Sequence, residues 1–548
     1  MHAAHDDGPN NGAGVSRRGF LATAAGAAVA GAALASTTAG TGAAQAKPGK
    51  MVRRPNLILF ITDQERKPMY WPKGWAKANL PNRQRLIDHG LSFENAFTAA
   101  AMCSPSRSTF FTGKFPAEHG VTNTLTEGGT VSPTERTLPV DEQNMAKLLR
   151  SAGYRVHYRG KWHLSKGSDG HSPSSADLAR YGFDGWRAPD FGGDTSTANF
   201  GGGCADHDST VTAQAVDFLR NQAHTSDAPF ALIVSLANPH DILSYPKSWD
   251  RPEGDCDNYG SVAPQAFHQG ISLPPSFAEN LRRNHKPSAQ VQSQVMLGAG
   301  LGVLPTRRAA HNYVNFYAYL HKVVDQQLGQ VLDALEARPE VADRTLFLRI
   351  SDHGEMGLSH GGLRQKAFNA YEETLRVPLI MSNRVMFPQA TSTKALASLV
   401  DLMPTLASLA KVPNPKAWIF RGADLTPVIA DAVAHPGAPS ARVQDSVMFT
   451  FDDQNAATPN GQNIVKEPNH IRTVRDERWK YSVYFDPDGA APAQRELYDL
   501  RRDPYELVNR ADPRSGVDFD PAQMAVMEAK LYARMRETAT TPRGGILR

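Results

Sequence analysis

The chain of 548 residues is 41% hydrophobic, 21% charged and 8% aromatic, with a formal net charge of +4. That composition builds a globular protein with ample core and excludes disordered and fibrous classes. No run of five like charges occurs, which excludes a polybasic membrane patch and leaves no electrostatic footprint for nucleic acid.

The chain opens with Ser16-Arg17-Arg18-Gly19-Phe20-Leu21, a weakly apolar stretch over 21–35 and the small-residue site Ala44-Gln45-Ala46. Paired arginines ahead of such a run mark residues 1–46 as a twin-arginine signal peptide. The run falls short of the ~20 strongly apolar residues of a membrane span. The mature protein is therefore expected to carry no membrane anchor. It is expected to be secreted, or periplasmic in the cell envelope, exported folded by the twin-arginine machinery.

Strand signals follow. The run Asn56–Asp63 is apolar almost throughout and ends in Asp, as a buried parallel strand with a polar tip does. The same pattern recurs at 154–159, 230–237 and 345–351, with helical periodicity at 144–151, 210–222 and 309–337 between them. Strands alternating with helices predict an α/β fold with a mostly parallel central sheet flanked by helices. Ligand sites in such sheets lie beyond the carboxyl ends of the strands. Those ends lead here into Asp63, Gly160-Lys161, Asn238-Pro239-His240 and Asp352.

Residues 241–305 are rich in Pro, Asn, Ser and Gly and are expected to form a long excursion over that face. A helix is expected over 396–410, with Pro404 kinking it. Beyond about residue 440, short alternating segments at 447–451 and 479–485 and a helix near 522–537 predict a small antiparallel sheet with a C-terminal helix. The expected organisation is a signal over 1–46, a catalytic domain over 51–440 and a C-terminal subdomain over 441–548.

The most specific feature is Cys103-Ser104-Pro105-Ser106-Arg107 followed by Thr112-Gly113. It resembles, without a mismatch, the modification motif of the type I sulfatases, a family of the alkaline phosphatase superfamily. Gly160-Lys161-Trp162-His163-Leu164 resembles that family's second signature, and Asn238-Pro239-His240 its Pro-His element. Further matches are Ser351-Asp352-His353-Gly354-Glu355, Lys366 with Tyr371-Glu372 and Val377-Pro378, Glu496-Leu497-Tyr498-Asp499-Leu500, and Asp503-Pro504-Tyr505-Glu506.

The resemblance implies hydrolysis of a sulfate monoester, on a small molecule or a glycan, in an arylsulfatase-like manner. It implies that Cys103 is oxidised to formylglycine by a formylglycine-generating enzyme, and that the hydrated aldehyde is the nucleophile. It also implies a divalent metal, calcium by family default with manganese or magnesium as alternatives, held by Asp63, Gln64, Asp352 and His353. Such chemistry places negative charge on three non-bridging oxygens and on a departing alkoxide, so the site needs fixed cations and a proton donor. Arg107 would hold the hydrate, and Lys161 and Lys366 would neutralise sulfate oxygens. His240 would protonate the leaving oxygen and His163 would take the proton of the second hydroxyl, roles suited to an imidazole.

Many relatives carry a second Asp where this chain has Gln64, and Asn where it has His353. That combination resembles the branch containing phosphonate monoester hydrolases and choline-sulfatase-like enzymes, so a phosphonate monoester or phosphodiester hydrolase on the same scaffold is the alternative. Of three cysteines, Cys204 and Cys256 remain as a disulfide pair or as two buried thiols.

Overall fold

Alternation of side chains explains the central strand. In Asn56–Asp63 (β1), Leu57, Leu59 and Ile61 join one hydrophobic core and Ile58 and Phe60 another, on the opposite face. A strand buried on both faces requires an unbroken apolar run. The computed structural model describes residues 47–125, 135–252, 254–456 and 464–542; the signal over 1–46 lies outside the described residues.

The other strands of this sheet are Gly90–Phe97 (β2), Arg155–Gly160 (β4), Phe230–Pro239 (β5), Thr345–Ser351 (β6), Leu379–Ser382 (β7) and Thr391–Ser398 (β8). A second sheet holds Ala100–Ala101 (β3), Ser446–Phe451 (β9), His470–Asp476 (β10), Trp479–Phe485 (β11) and Gln494–Asp499 (β12). The large sheet has the order β4-β5-β1-β6-β7-β2-β8. Its pairs are parallel except where β7 runs against β6 and β2. The protein is thus α/β with a mostly parallel sheet flanked by helices. Helices His207–Asn221 and Arg307–Glu336 cover the Ile58 face, and Cys103–Thr112, Met145–Ser151 and Leu402–Ala410 cover the Leu57 face.

The register aligns the carboxyl ends. Asp63 pairs with Pro239, Thr62 with Ser351, and Gly160 with Ser235. The residues after β1, β4, β5 and β6 therefore emerge side by side. At Gly160 (φ +93°) a Cβ would stand 2.0 Å from the Ser235 carbonyl oxygen, so the chain must pass here as glycine.

Three elements differ from the sequence expectation. Residues 396–398 end β8, and the helix begins only at Leu402, which puts Pro404 in its first turn, where proline is tolerated. The excursion after β5 contains the helix Ser288–Leu301, whose buried side includes Gln290 and Ser293 beside Val291 and Met296 and so shows no clean apolar stripe. In the small sheet β9–β12 are antiparallel, but β3 adds in parallel to β9 through Ala100↔Thr450 and Ala101↔Phe451. Two residues are too few to carry a period. β3 ends at Ala101, with only Met102 between it and Cys103, so the second sheet anchors the approach to that residue.

Cys204 and Cys256 form a disulfide, with Cα atoms 5.8 Å apart. No helix among the described residues is long and apolar enough to cross a membrane.

Candidate active site

The helix Cys103–Thr112 is buried along its whole length and starts without a side-chain cap, leaving its first N–H groups beside the strand ends. Ser106 Oγ donates to the Asp352 carbonyl (2.5 Å), tying the first turn to the end of β6. Gly113 closes the helix at φ +73°, and a Cβ there would lie 2.8 Å from Met403 Cβ. The Thr-Gly end of the motif is therefore a helix stop fitted to a neighbouring helix.

Cys103 lies at the first helical position, 1% exposed. Its Sγ stands 3.2 Å from His353 Nε2 and 3.6 Å from Asp63 Oδ1. Arg107, fully buried one turn on, donates through Nε to Asp352 Oδ2 (3.0 Å), through Nη1 to Ser235 Oγ (2.9 Å) and the Lys161 carbonyl (3.0 Å), and through Nη2 to Asp63 Oδ2 (3.4 Å). A guanidinium shared between two buried carboxylates fixes both.

Lys161 Nζ pairs with Asp63 Oδ2 at 2.6 Å and also donates to the Gly192 carbonyl. Trp162 is fully buried against Phe111, Tyr158, Tyr181 and Phe183, so it anchors Lys161 and His163, the candidate site residues that flank it. Asp190 accepts from the backbone N–H groups of Trp162 and His163, both at 2.8 Å. His163 Nε2 bonds the Leu125 carbonyl (2.9 Å), which only accepts, so Nε2 carries the proton and Nδ1 is the lone-pair nitrogen. Ser104 Oγ in turn holds the Leu125 N–H (3.1 Å).

His240, just after β5, is buried, and its Nδ1 has no hydrogen-bond partner among the described residues. Lys366 Nζ donates to Gln64 Oε1 (2.7 Å), and Gln64 Nε2 donates to Glu355 Oε2 (2.5 Å). The Gln64 N–H donates to Asp352 Oδ1 (3.1 Å). All ten residues singled out in the sequence thus meet at one edge of the sheet. Gln64 does so through Lys366, Glu355 and its own backbone.

The electrostatics follow from burial and crowding. Burial alone would raise the Asp63 carboxyl, yet the Lys161 ammonium, helped by His240, His353 and Arg107, holds it well below the usual carboxylate range. Burial and the neighbouring Asp63 carboxylate push Asp352 up to about 7. Burial, reinforced by Lys161, holds His163 and His240 well below the usual histidine range.

Asp63, Cys103, Asp352 and His353 each place a ligand atom within 4.8 Å of the others. His353 Nδ1 bonds the Gly354 carbonyl (3.1 Å), so Nε2 presents a lone pair. That lone pair faces Asp352 Oδ1 at 3.6 Å and Asp63 Oδ1 at 3.7 Å. Three acceptors converging on one point in a buried site fit a cation between them.

A family model described as Sulfatase matches residues 55–412, and one described as N-sulphoglucosamine sulphohydrolase, C-terminal, matches 360–537. The chain belongs to the sulfatase family, in the alkaline phosphatase superfamily, and is a sulfuric ester hydrolase. It is 28% identical over 484 residues to the uncharacterized sulfatase YidJ of Escherichia coli (strain K12), covering 84% of each chain. It is 24% identical over 525 residues to the N-acetylglucosamine-6-O-sulfatase of Bacteroides thetaiotaomicron, covering 89% of this chain and 86% of the relative. The crystal structure of the phosphonate monoester hydrolase of Agrobacterium radiobacter shares the fold, with TM-score 0.60, 21% identity and coverage of 88% and 96%.

Sequence reasoning gave no role to Glu355, Asp190, Ser235 or Ser104. Glu355 sits inside a recognised motif and Ser104 inside another, so both were signalled by position. Asp190 and Ser235 lie in stretches with no motif.

Proposed function

We propose that the protein hydrolyses an organic sulfate monoester, on a small molecule or a glycan, with residue 103 converted from cysteine to formylglycine by a formylglycine-generating enzyme. The observation that carries this reading is the position of Cys103 at the start of a buried helix, against His353 and Asp63 and one turn before Arg107. The hydrated aldehyde would supply one hydroxyl, its proton accepted or steered by Asp352, to attack sulfur and displace the alcohol, and a second whose deprotonation would expel sulfate and restore the carbonyl. Asp63, Gln64, Asp352 and His353 would hold a divalent cation, calcium before manganese or magnesium, which would supply Lewis-acid polarisation of the sulfate oxygens.

Arg107 would orient the hydrate and, donating to both Asp63 and Asp352, offsets the repulsion between their carboxylates. Lys161 and Lys366 turn from Asp63 and Gln64 toward the sulfate oxygens, compensating charge as it develops. His240 gives its proton to the leaving oxygen; the incoming anion offsets the burial that lowers its pKa. His163, with Nδ1 free of any other hydrogen bond, takes the proton of the second hydroxyl.

The alternative is a phosphonate monoester or phosphodiester hydrolase. Gln64 and His353 favour it, because an amide in place of one carboxylate leaves the cage one charge less negative, and the imidazole is a softer ligand than the amide it replaces. Parallel assays of an aryl sulfate and an aryl phosphonate monoester separate the two. The first reading requires the larger kcat/KM for sulfate, and a clear phosphonate preference reverses the order.

The leader over 1–46 supports export of the folded enzyme by the twin-arginine route to a secreted or periplasmic location. The Cys204–Cys256 disulfide suits that oxidising compartment. The proposed organisation is a catalytic domain over 51–440 and a C-terminal subdomain over 441–548.

A further inference from the structure

A second convergence of ligand atoms lies outside the catalytic residues. His360, Glu373 and Glu506 are fully buried, and one ligand atom from each lies within 4.8 Å of the others. His360 follows the loop after β6, Glu373 opens the segment that leads to β7, and Glu506 follows β12. His360 and Glu506 have so far no part in the chemistry, although Glu506 belongs to a recognised motif.

The imidazole is prepared as a ligand. His360 Nδ1 bonds Glu279 Oε2 at 2.7 Å, and its ring stacks on Tyr371 with centroids 3.5 Å apart and planes 9° apart. A carboxylate on one ring nitrogen fixes the tautomer and presents the other nitrogen as a lone pair, the arrangement typical of metal-bound histidines. That other nitrogen, Nε2, is buried without a hydrogen-bond partner, as are both carboxylate oxygens of Glu373.

Distance decides between a hydrogen bond and a shared ion. Nε2 stands 3.7 Å from Glu373 Oε2, too far for a hydrogen bond. Two ligands ~2.05 Å from a tetrahedral ion lie about 3.4 Å apart, close to that spacing. His353 in the catalytic cage repeats the pattern, with Nδ1 on an acceptor and Nε2 at 3.6–3.7 Å from carboxylate oxygens.

The neighbouring charges are already matched. Lys286 pairs with Glu279 at 3.4 Å, Lys480 with Glu506 at 2.5 Å, and Arg475 with Glu372 at 3.3 Å. Arg66 gives its Nη1 to the Glu355 and Met356 carbonyls. Glu373 has no hydrogen bond, and the cation nearest it is His360 itself: burial lowers that imidazole's pKa, but Glu373 and Glu279 raise it to about 9, so a metal on Nε2 would take the place of a proton in neutralising a buried carboxylate.

We propose that His360, Glu373 and Glu506 hold a second metal ion of the zinc class, distinct from the catalytic cation. One imidazole and two carboxylates are borderline-to-hard donors, which suits Zn²⁺ better than Ca²⁺. The ion is structural. It ties the segment that carries Lys366 to the C-terminal residues, and the Glu373 carbonyl accepts the Glu355 N–H (3.0 Å) beside the catalytic cage.

The test is zinc content by mass spectrometry of the intact purified protein, loaded with Zn²⁺ and freed of excess by gel filtration. The parent should retain one Zn²⁺ per chain more than His360→Gln, and Asp352→Asn should keep that ion while losing the catalytic one. Equal zinc in the parent and His360→Gln overturns the site without touching the catalytic reading. Zinc-edge anomalous scattering from crystals of the unmutated protein needs no variant. A peak bonded to His360, Glu373 and Glu506 is expected, and ordered side chains with no peak overturn the proposal.

Discussion

Replacing Glu355 by Gln tests how Lys366 is held. The Glu355 carboxylate accepts from Gln64 Nε2 (2.5 Å), Tyr313 Oη (2.7 Å), the Gln365 N–H (3.0 Å) and the Gly357 N–H (3.1 Å). These donors leave no room for a donor in its place. In Glu355→Gln one oxygen becomes an NH₂ group, and the nearest relief is rotation of the Gln64 amide. That rotation turns the Gln64 NH₂ toward Lys366 Nζ, so two donors meet where Oε1 now accepts at 2.7 Å. One mismatched buried pair, here or at Gln64, costs about 3 kcal/mol; Gln64, a proposed cation ligand, would then offer an N–H in place of Oε1, and a loss of that size in the transition state is at least a hundredfold in kcat/KM, at ~1.4 kcal/mol per decade. The assay is aryl sulfate hydrolysis, with far-UV circular dichroism to establish folding. Tyr313→Phe removes one donor without turning the amide and should lose less than about tenfold. A folded Glu355→Gln enzyme within about threefold of the parent would refute the reasoning.

Three further outcomes follow from packing and charge. Asp452 accepts from Arg472 (2.7 Å) and His470 (3.1 Å), and although burial opposes it, Arg472 and His470 bring its pKa to about 2 from an unfolded 3.8. That depression stabilises the fold above about pH 4 and fades as pH falls through 2, so Asp452→Asn should lose about 2 kcal/mol at neutral pH, with the gap to the parent narrowing in urea melts at pH 3. Gly113→Ala forces a Cβ against Met403 at φ +73°, and should lower stability by about 1–3 kcal/mol in thermal melts, with residue 103 still in place. The Cys204–Cys256 bond spans 52 residues, and removing it with paired Ala substitutions should cost about 4 kcal/mol in the chain-entropy model, read from urea unfolding.

Much of this architecture was legible in the chain. The strands β1, β5 and β6 are buried on both faces, so their apolar runs announced them, whereas β4 lies at the sheet's edge with Arg155 and His157 half-buried; the polar residues at the tips of all four announced the site. β2, β7 and β8 gave no such signal. β7 has four residues, and β2 mixes Ser92, Glu94 and Asn95 into a half-buried edge region. The candidate site residues were readable because they sit in motifs that resemble those of sulfatases, at strand ends and at a helix start. Their supports were not. Asp190 acts through backbone N–H groups, Ser235 through one hydroxyl on Arg107, and Glu355 through an amide, and none of these needs a sequence pattern. The Cys204–Cys256 pairing likewise came from a fold that brings distant loops together.

The most direct measurement plots specific sulfatase activity against the fraction of residue 103 present as aldehyde, determined by peptide mass spectrometry across preparations made with and without a formylglycine-generating enzyme. A line through the origin, with all-thiol protein inactive, is the expected result. Full turnover by protein whose Cys103 is entirely thiol would contradict it.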